Sequence, residues 1–263
     1  MSILVALILG IVQGLTEFLP VSSSGHLLLL NQIFGIDGDF LLVSIILHVA
    51  TLLAVIFVFW KDIFYLIKHP FSKPAVNLYI ATIPTVVIVL IFKKFIESSF
   101  ENASLLPFCF MLTAVLLLIT YFLSKRKNKA EIEYENYCEI KKSSAFAMGI
   151  SQGLAVIPGI SRSGSTICTG LILGENRKES AKFSFLMSIP IIIASMLYEI
   201  LFSSSTASIN QIGILPLIIA FVSALLVGIL SIKFMLKVVE KAKYYYFSIY
   251  LVVLSIVSLF VIW

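Results

Sequence analysis

The sequence predicts an all-α polytopic membrane protein with an inverted-topology repeat, each half a broken re-entrant helical hairpin followed by three transmembrane helices. Three observations carry this. Of the 263 residues, 60% are hydrophobic and only 13% charged, with a mean hydropathy of +1.07, a surface that water does not solvate. Six apolar runs, near 41–60, 75–92, 105–123, 183–201, 214–232 and 245–263, are each long enough to cross a bilayer. Two more apolar regions, about 1–30 and 144–173, are interrupted midway by Pro, Gly and Ser. A straight crossing would carry that break through hydrocarbon; a hairpin that enters and leaves on one side lines it with protein.

The first hairpin opens the chain without a charged leader or a small-residue cleavage site, so it reads as part of the fold and not as a signal peptide. Orientation follows from Lys and Arg. The segments 61–74, 124–143, 174–182 and 233–243 hold 16 of the 19, and 31–40, 93–104 and 202–213 hold 2. The basic set alternates with the other along the six spans, which predicts it to be cytoplasmic and both termini to lie outside. The first hairpin then enters from outside and the second from inside. The net charge of +5 is dispersed over these short segments and is no nucleic-acid footprint. The mixed-sign run 124–143 reads as a linker between a first half, 1–123, and a second, 144–263. Tyr244 to Tyr246, after Lys243, read as an interfacial aromatic belt, and Asp62 beside Lys61 as an interface charge. Cys109, Cys138 and Cys168 have no metal-ligand spacing and read as reduced thiols.

The repeat is visible in the residues. Gly10-Ile-Val-Gln-Gly-Leu matches Gly149-Ile-Ser-Gln-Gly-Leu at an offset of 139. At the same offset Ser22-Ser23-Ser24-Gly25 falls on Ser161-Arg162-Ser163-Gly164, and Lys94-Phe95 on Lys233-Phe234. Three spans per half is an odd number, so the second half is inverted and the hairpin tips are expected to meet near the midplane. The copies differ where chemistry would sit: Glu17 falls on Val156, Ser23 on Arg162 and His26 on Ser165.

An ionisable group within a bilayer marks function by default. Pro20 and Pro158-Gly159 stop one helix, and the serines that follow cap the next. Two helix N-termini with serine hydroxyls and the Arg162 fork between them suit a diphosphate. The serines at these starts, Ser22, Ser24, Ser161 and Ser163, are the candidate phosphate contacts. Ser23 is a candidate nucleophile and His26, three residues on, a base or acid. Gln13 and Glu17, four apart, can share a divalent cation with the phosphates. The plainer alternatives are a structural Glu17–Arg162 ion pair, a hydrogen-bonded interior His26, capping serines, and Gln13 and Gln152 bonded to backbone at the breaks. Thr166 bonded within its own helix is another. His48, alone in a span, reads as a packing residue or a supporting neighbour of the site.

The stretches "QGLTEFLPVSSSGHL" (13–27) and "PGISRSGST" (158–166) resemble the two signature motifs of the undecaprenyl-diphosphate phosphatase family, the bacitracin-resistance phosphatases of bacterial membranes. The resemblance runs through "LHVATLLAV" (47–55) and "FSFLMSIP" (183–190) to cover essentially the whole chain. It implies a membrane hydrolase that converts undecaprenyl diphosphate to undecaprenyl phosphate and inorganic phosphate for peptidoglycan synthesis. It also implies a magnesium-like divalent cation and a site facing outwards in the bacterial plasma membrane. Bacitracin would compete by binding the substrate and not the protein, and a homodimer is among the assemblies open to it. Glu17, Ser23, His26 and Arg162 are the implied central residues, with Ser161, Ser163 and Thr166 lining the phosphate site and the nucleophile, Ser23 or His26, left open. The competing class is a transporter or lipid flippase, which inverted repeats also build. A binding-and-release cycle has no use for a nucleophile and base beside an arginine.

Overall fold

The computed structural model describes residues 1–35, 40–127, 140–202 and 212–262. Its elements are α1 (Ile3–Thr16), α2 (Ser23–Phe34), α3 (Phe40–Val58), α4 (Trp60–Lys68), α5 (Lys73–Ile91), α6 (Lys93–Glu101), α7 (Leu106–Lys127), α8 (Lys142–Leu154), α9 (Arg162–Ile172), α10 (Arg177–Phe202), α11 (Ile214–Glu240) and α12 (Tyr245–Ile262), with one 3-10 turn at Ala103–Leu105. Among the described residues there is no strand. By length and apolar composition α5, α7, α10, α11 and α12 can each cross a bilayer, and the pair α3–α4, bent by 80°, brings the number to six when the pair is counted as one span. The five fall on five of the apolar runs, and α3 on the run near 41–60.

The two interrupted regions are broken pairs, α1–α2 and α8–α9. Proline lacks an N–H and disfavours a helical residue before it, so neither α1 nor α8 continues through Pro20 or Pro158. Each second helix restarts on a serine: Ser22 Oγ accepts from Gly25 N–H at 3.3 Å, and Ser161 Oγ accepts from Gly164 N–H at 3.0 Å.

The repeated glycines explain how the halves interlock. A methyl group at Gly10 would lie 2.5 Å from the Ala220 carbonyl oxygen on α11, and one at Gly14 2.7 Å from that of Ala224. In the other copy a methyl at Gly149 would lie 2.1 Å from the Ala81 carbonyl oxygen on α5, and one at Gly153 2.9 Å from Ile88. Each hairpin's first helix therefore packs backbone to backbone on the penultimate span of the opposite half, the use small residues have where lipid supplies no hydrophobic drive. The exchange is general: α1 packs on α11 as α8 does on α5, while α3 packs on α10 and α7 on α12. This is the contact pattern of two copies related by a two-fold axis. The same relation joins the tips, where a Cβ on Gly25 would meet Gly159 Cα at 3.0 Å and one on Gly164 would meet Pro20 at 3.1 Å.

Some details differ from expectation. The segments after the first and second spans are not plain loops but carry helices α4 and α6. Trp60, Phe64 and Ile67 form an exposed apolar stripe on α4, while Asp62 on its other side holds Lys182 of α10 at 2.6 Å. Tyr244 is not part of an aromatic belt: it is buried and its hydroxyl donates to the Thr120 carbonyl, whereas Tyr246 is exposed. Helix α7 runs to Lys127, past the expected start of the linker. Cys109 and Cys168 are buried free thiols; Cys138, and with it most of the linker, lies outside the described residues.

Candidate active site at the meeting of two hairpin tips

Glu17 is the hub. It is the C-cap of α1 and is buried. One carboxylate oxygen, Oε1, accepts from Arg162 Nη2 at 2.5 Å. The other, Oε2, accepts from the Ser23 hydroxyl at 2.6 Å and from Gln13 Nε2 at 3.1 Å. Arg162 is the first residue of α9 and Ser23 the first of α2, so three helix ends converge here.

The electrostatics follow from that convergence. A carboxylate at the C-terminal end of a helix and a guanidinium at the N-terminal end of another are each disfavoured by their own helix dipole. Set against each other they neutralise both penalties. The N-termini of α2 and α9 both border one open cleft, lined by Thr16, Glu17, Ser22 to Ser24, Ala155, Ile160, Ser161 and Arg162. Arg162 Nη1 is buried with no hydrogen-bond partner among the described residues. An unpaired guanidinium nitrogen is expensive to leave dry.

The structure thus gathers Gln13, Glu17, Ser23 and Arg162 into one bonded cluster and puts Ser22, Ser24 and Ser161 on the cleft wall. Ser22 and Ser161 also serve as caps, as the plainer reading held. Ser163 and Thr166 do not line the cleft. The Ser163 hydroxyl donates to the Leu19 carbonyl at 2.9 Å and so ties one tip to the other. Thr166 bonds back to the Arg162 carbonyl at 2.8 Å and lies 2.6 Å from the Ser184 hydroxyl in the interior.

The expected Ser23–His26 pair is not formed. His26 Nδ1 lies 2.7 Å from the Ser22 carbonyl oxygen, which can only accept, so Nδ1 carries the proton. Nε2 is then the acceptor for the Tyr250 hydroxyl at 2.6 Å, and the Tyr250 ring stacks within 5° of parallel. Both ring nitrogens are engaged away from Ser23, and the group that holds the Ser23 hydroxyl is Glu17. Three residues apart is a shared face only along a formed helix; Ser23 is its first residue and turns back over the break.

Two further side chains adjoin the cluster with little or no signal in the sequence. His48 on α3 brings Nε2 to 3.9 Å from Glu17 Oε2. Its one sequence signal is a histidine alone in an apolar span. Tyr250 has no local signal, since it reaches His26 across 224 residues of chain.

As a cation site the cluster offers hard oxygen donors. The buried Gln13 Oε1 has no hydrogen-bond partner among the described residues, and Glu17 Oε2 is beside it through the Gln13 amide. No group of three or more His, Cys, Asp or Glu forms a metal cluster among the described residues. The donors fit a magnesium-like ion that completes its shell with phosphate oxygens and water.

This fold and cluster define a class: a polytopic helical membrane protein whose two broken hairpins join an acid, a hydroxyl and a guanidinium at their tips. Within that class, the chain belongs to the family described as bacitracin resistance protein BacA, whose model matches residues 6–257. It is 40% identical to the undecaprenyl-diphosphatase of Carboxydothermus hydrogenoformans, over 97% of this chain and 95% of that one. It is 38% identical to that of Bacteroides fragilis strain ATCC 25285, over 97% of each chain. It is 41% identical to that of Campylobacter jejuni, over 98% of this chain and 93% of the other.

Proposed function

We propose that this chain is an undecaprenyl-diphosphatase that removes the terminal phosphate of the lipid diphosphate and returns the monophosphate carrier to cell-wall synthesis. One observation carries the reading. Glu17 holds the Ser23 hydroxyl at 2.6 Å while Arg162, paired to the same carboxylate at the start of α9, keeps a buried donor nitrogen with no partner among the described residues. A nucleophile, its base and a phosphate clamp thereby share one carboxylate.

The chemistry runs in two steps. Ser23 Oγ attacks the terminal phosphorus as its proton passes to Glu17. The bond to the bridging oxygen breaks, and the departing lipid monophosphate takes that proton from Glu17. Water then attacks the phosphoserine, the P–Oγ bond breaks, and Ser23 regains a proton. Arg162 and the α2 and α9 N-termini meet the charge that spreads over the phosphoryl oxygens, an electrostatic task. A divalent cation, held by Gln13, Glu17 and the diphosphate, would neutralise substrate charge. His26 supports the tip: by gripping the Ser22 carbonyl it holds the turn that delivers Ser23. The lipid tail stays in hydrocarbon while its head group reaches the tips. By the positive-inside asymmetry the cleft opens to the outer face and both termini lie outside. Bacitracin then acts by withdrawing the lipid substrate.

Transport is the second reading, favoured by the two-fold exchange of contacts between the halves, which is transporter architecture. Phosphate release from a long-chain prenyl diphosphate by purified protein in detergent with magnesium separates them, because detergent leaves no compartments. Turnover that is lost on chelation supports the hydrolase; an inert wild type refutes it.

A further inference from the structure

His48 Nδ1 lies 2.8 Å from the Ser44 carbonyl oxygen one turn back on α3. A carbonyl only accepts, so Nδ1 carries the proton and the neutral ring presents a bare Nε2. That bare nitrogen faces Glu17 Oε2, a second acceptor, across 3.9 Å. Two acceptors do not bond each other, and 3.9 Å is beyond any direct hydrogen bond. It is a separation that one water bridges: bonds of about 2.8 Å to each acceptor subtend roughly 90° at the water oxygen. The His48 side chain is 28% exposed, so its ring is not sealed within the protein interior.

We propose that His48 and Glu17 together hold the water that hydrolyses the phosphorylated enzyme. The inference rests on Ser23 as the nucleophile. In the resting site Oε2 of Glu17 is filled by the Ser23 hydroxyl and the Gln13 amide. Once Ser23 is phosphorylated it has no proton to donate, and that place on Oε2 falls free. A water enters it, one hydrogen on Glu17 Oε2 and the other on His48 Nε2, with its lone pairs turned away from both acceptors. On attack the water oxygen bonds to phosphorus, and the hydrogen on Glu17 passes through the carboxylate to Ser23 Oγ as the P–Oγ bond breaks. The hydrogen on His48 stays on the new phosphate. His48 therefore neither gains nor loses a proton; it fixes the water's direction. The device is timed by the chemistry, because the water site opens only when the first step is complete.

The test is an acid quench during turnover of a prenyl diphosphate labelled in its terminal phosphate, followed by quantitation of phosphoserine at position 23. Wild type, His48→Leu and His48→Gln are compared in detergent with magnesium. For His48→Leu the expected result is a kcat lowered on the order of a hundredfold, a KM lowered with it so that kcat/KM is unchanged, and phosphoserine rising towards one per chain. Formation of that phosphoserine at the wild-type rate shows the variant to be folded. His48→Gln restores a carbonyl acceptor and is expected to recover most of the turnover. His48→Phe keeps a ring without the acceptor; it reads as His48→Leu does and replaces it if that variant fails to fold. The proposal is overturned if turnover is unaffected, or if formation and loss of phosphoserine slow together as a merely structural role would have it. A different result, no phosphoserine in any variant with Ser23→Ala still active, removes the Ser23 reading itself and the proposal with it.

Discussion

The two hairpin tips are copies that have been put to different uses. Both break at proline, both restart on a serine that caps the next helix, and both press a glycine-bearing helix onto the opposite half. Gln13 and Gln152 occupy equivalent places, yet the first turns its amide to Glu17 and the second to Thr85 Oγ1 and the Met187 carbonyl. The first tip holds the acid and the hydroxyl; the second holds the guanidinium. The backbones differ too. Ser22 caps α2 at φ +66°, the left-handed region, while Ser161 caps α9 at an ordinary −75°. The lesson is that symmetry built the scaffold and asymmetry built the site: neither tip alone has both a nucleophile and a charge clamp.

The sharpest break in this comparison is to take away one half's contribution. Arg162→Ala is expected to lower phosphate release by at least about 10³-fold, since it removes the clamp and releases Glu17 from its partner. It also leaves a buried carboxylate unpaired, which destabilises by about 3–5 kcal/mol and should be read as a lower melting temperature in detergent. The double variant Glu17→Leu with Arg162→Met removes both charges. It should regain most of the melting temperature and none of the activity, because a buried ion pair replaced by apolar side chains is close to neutral in stability. Recovery of activity in the double variant would refute the site.

A smaller effect compares the interlocking glycines. Gly149→Ala places a methyl 2.1 Å from the backbone carbonyl of Ala81, which cannot swing away. The nearest atom to a methyl at Gly10 is the Ser223 hydroxyl, the end of a side chain that can, although the Ala220 carbonyl stands 2.5 Å off. Overpacking of this kind destabilises by about 1–3 kcal/mol. Gly149→Ala should sit at or above the top of that range and Gly10→Ala below it, measured as thermal unfolding in one detergent. Equal shifts would mean that the two packings are looser than their geometry indicates.

The sequence carried the scaffold well because its signals are local. Run length gives the spans, proline and glycine give the breaks, and the repeat offset aligns Gln13 with Gln152 and sets Ser23 against Arg162. Pairing of Glu17 with Arg162 was legible from the expense of burying either alone. The direction of His26 was not, because it is decided by two partners: the Ser22 carbonyl that draws Nδ1 back over the break, and Tyr250, which only tertiary folding brings near. His48 was illegible as a neighbour of Glu17 for the same reason, since nothing local fixes how α3 is rotated against α1. The bend between α3 and α4 was hidden in a segment counted for its charges, although Trp60, Phe64 and Ile67 already carried the period of an amphipathic helix.

The finest distinction between the tips is their capping serines. Ser22→Gly and Ser161→Gly remove the same hydroxyl from the same kind of helix start, and loss of such a cap to glycine costs only a few tenths of a kcal/mol. The backbone then decides the sign. At φ +66° a side chain is strained by about 1 kcal/mol or more, and glycine relieves it. At φ −75° there is no strain to relieve, and glycine adds about 0.5–1 kcal/mol of backbone entropy to the loss. Ser22→Gly should therefore unfold at a slightly higher temperature than wild type and Ser161→Gly at a slightly lower one. Activity should move the other way at the first tip: a looser turn delivers Ser23 less well to Glu17, so Ser22→Gly is expected to lose about two- to tenfold in kcat while it gains stability. A strained residue that is kept at the expense of stability marks the tip where the nucleophile is aimed. If Ser22→Gly raised both stability and turnover, the strain would have no part in positioning Ser23, and the asymmetry of the two tips would reduce to their side chains.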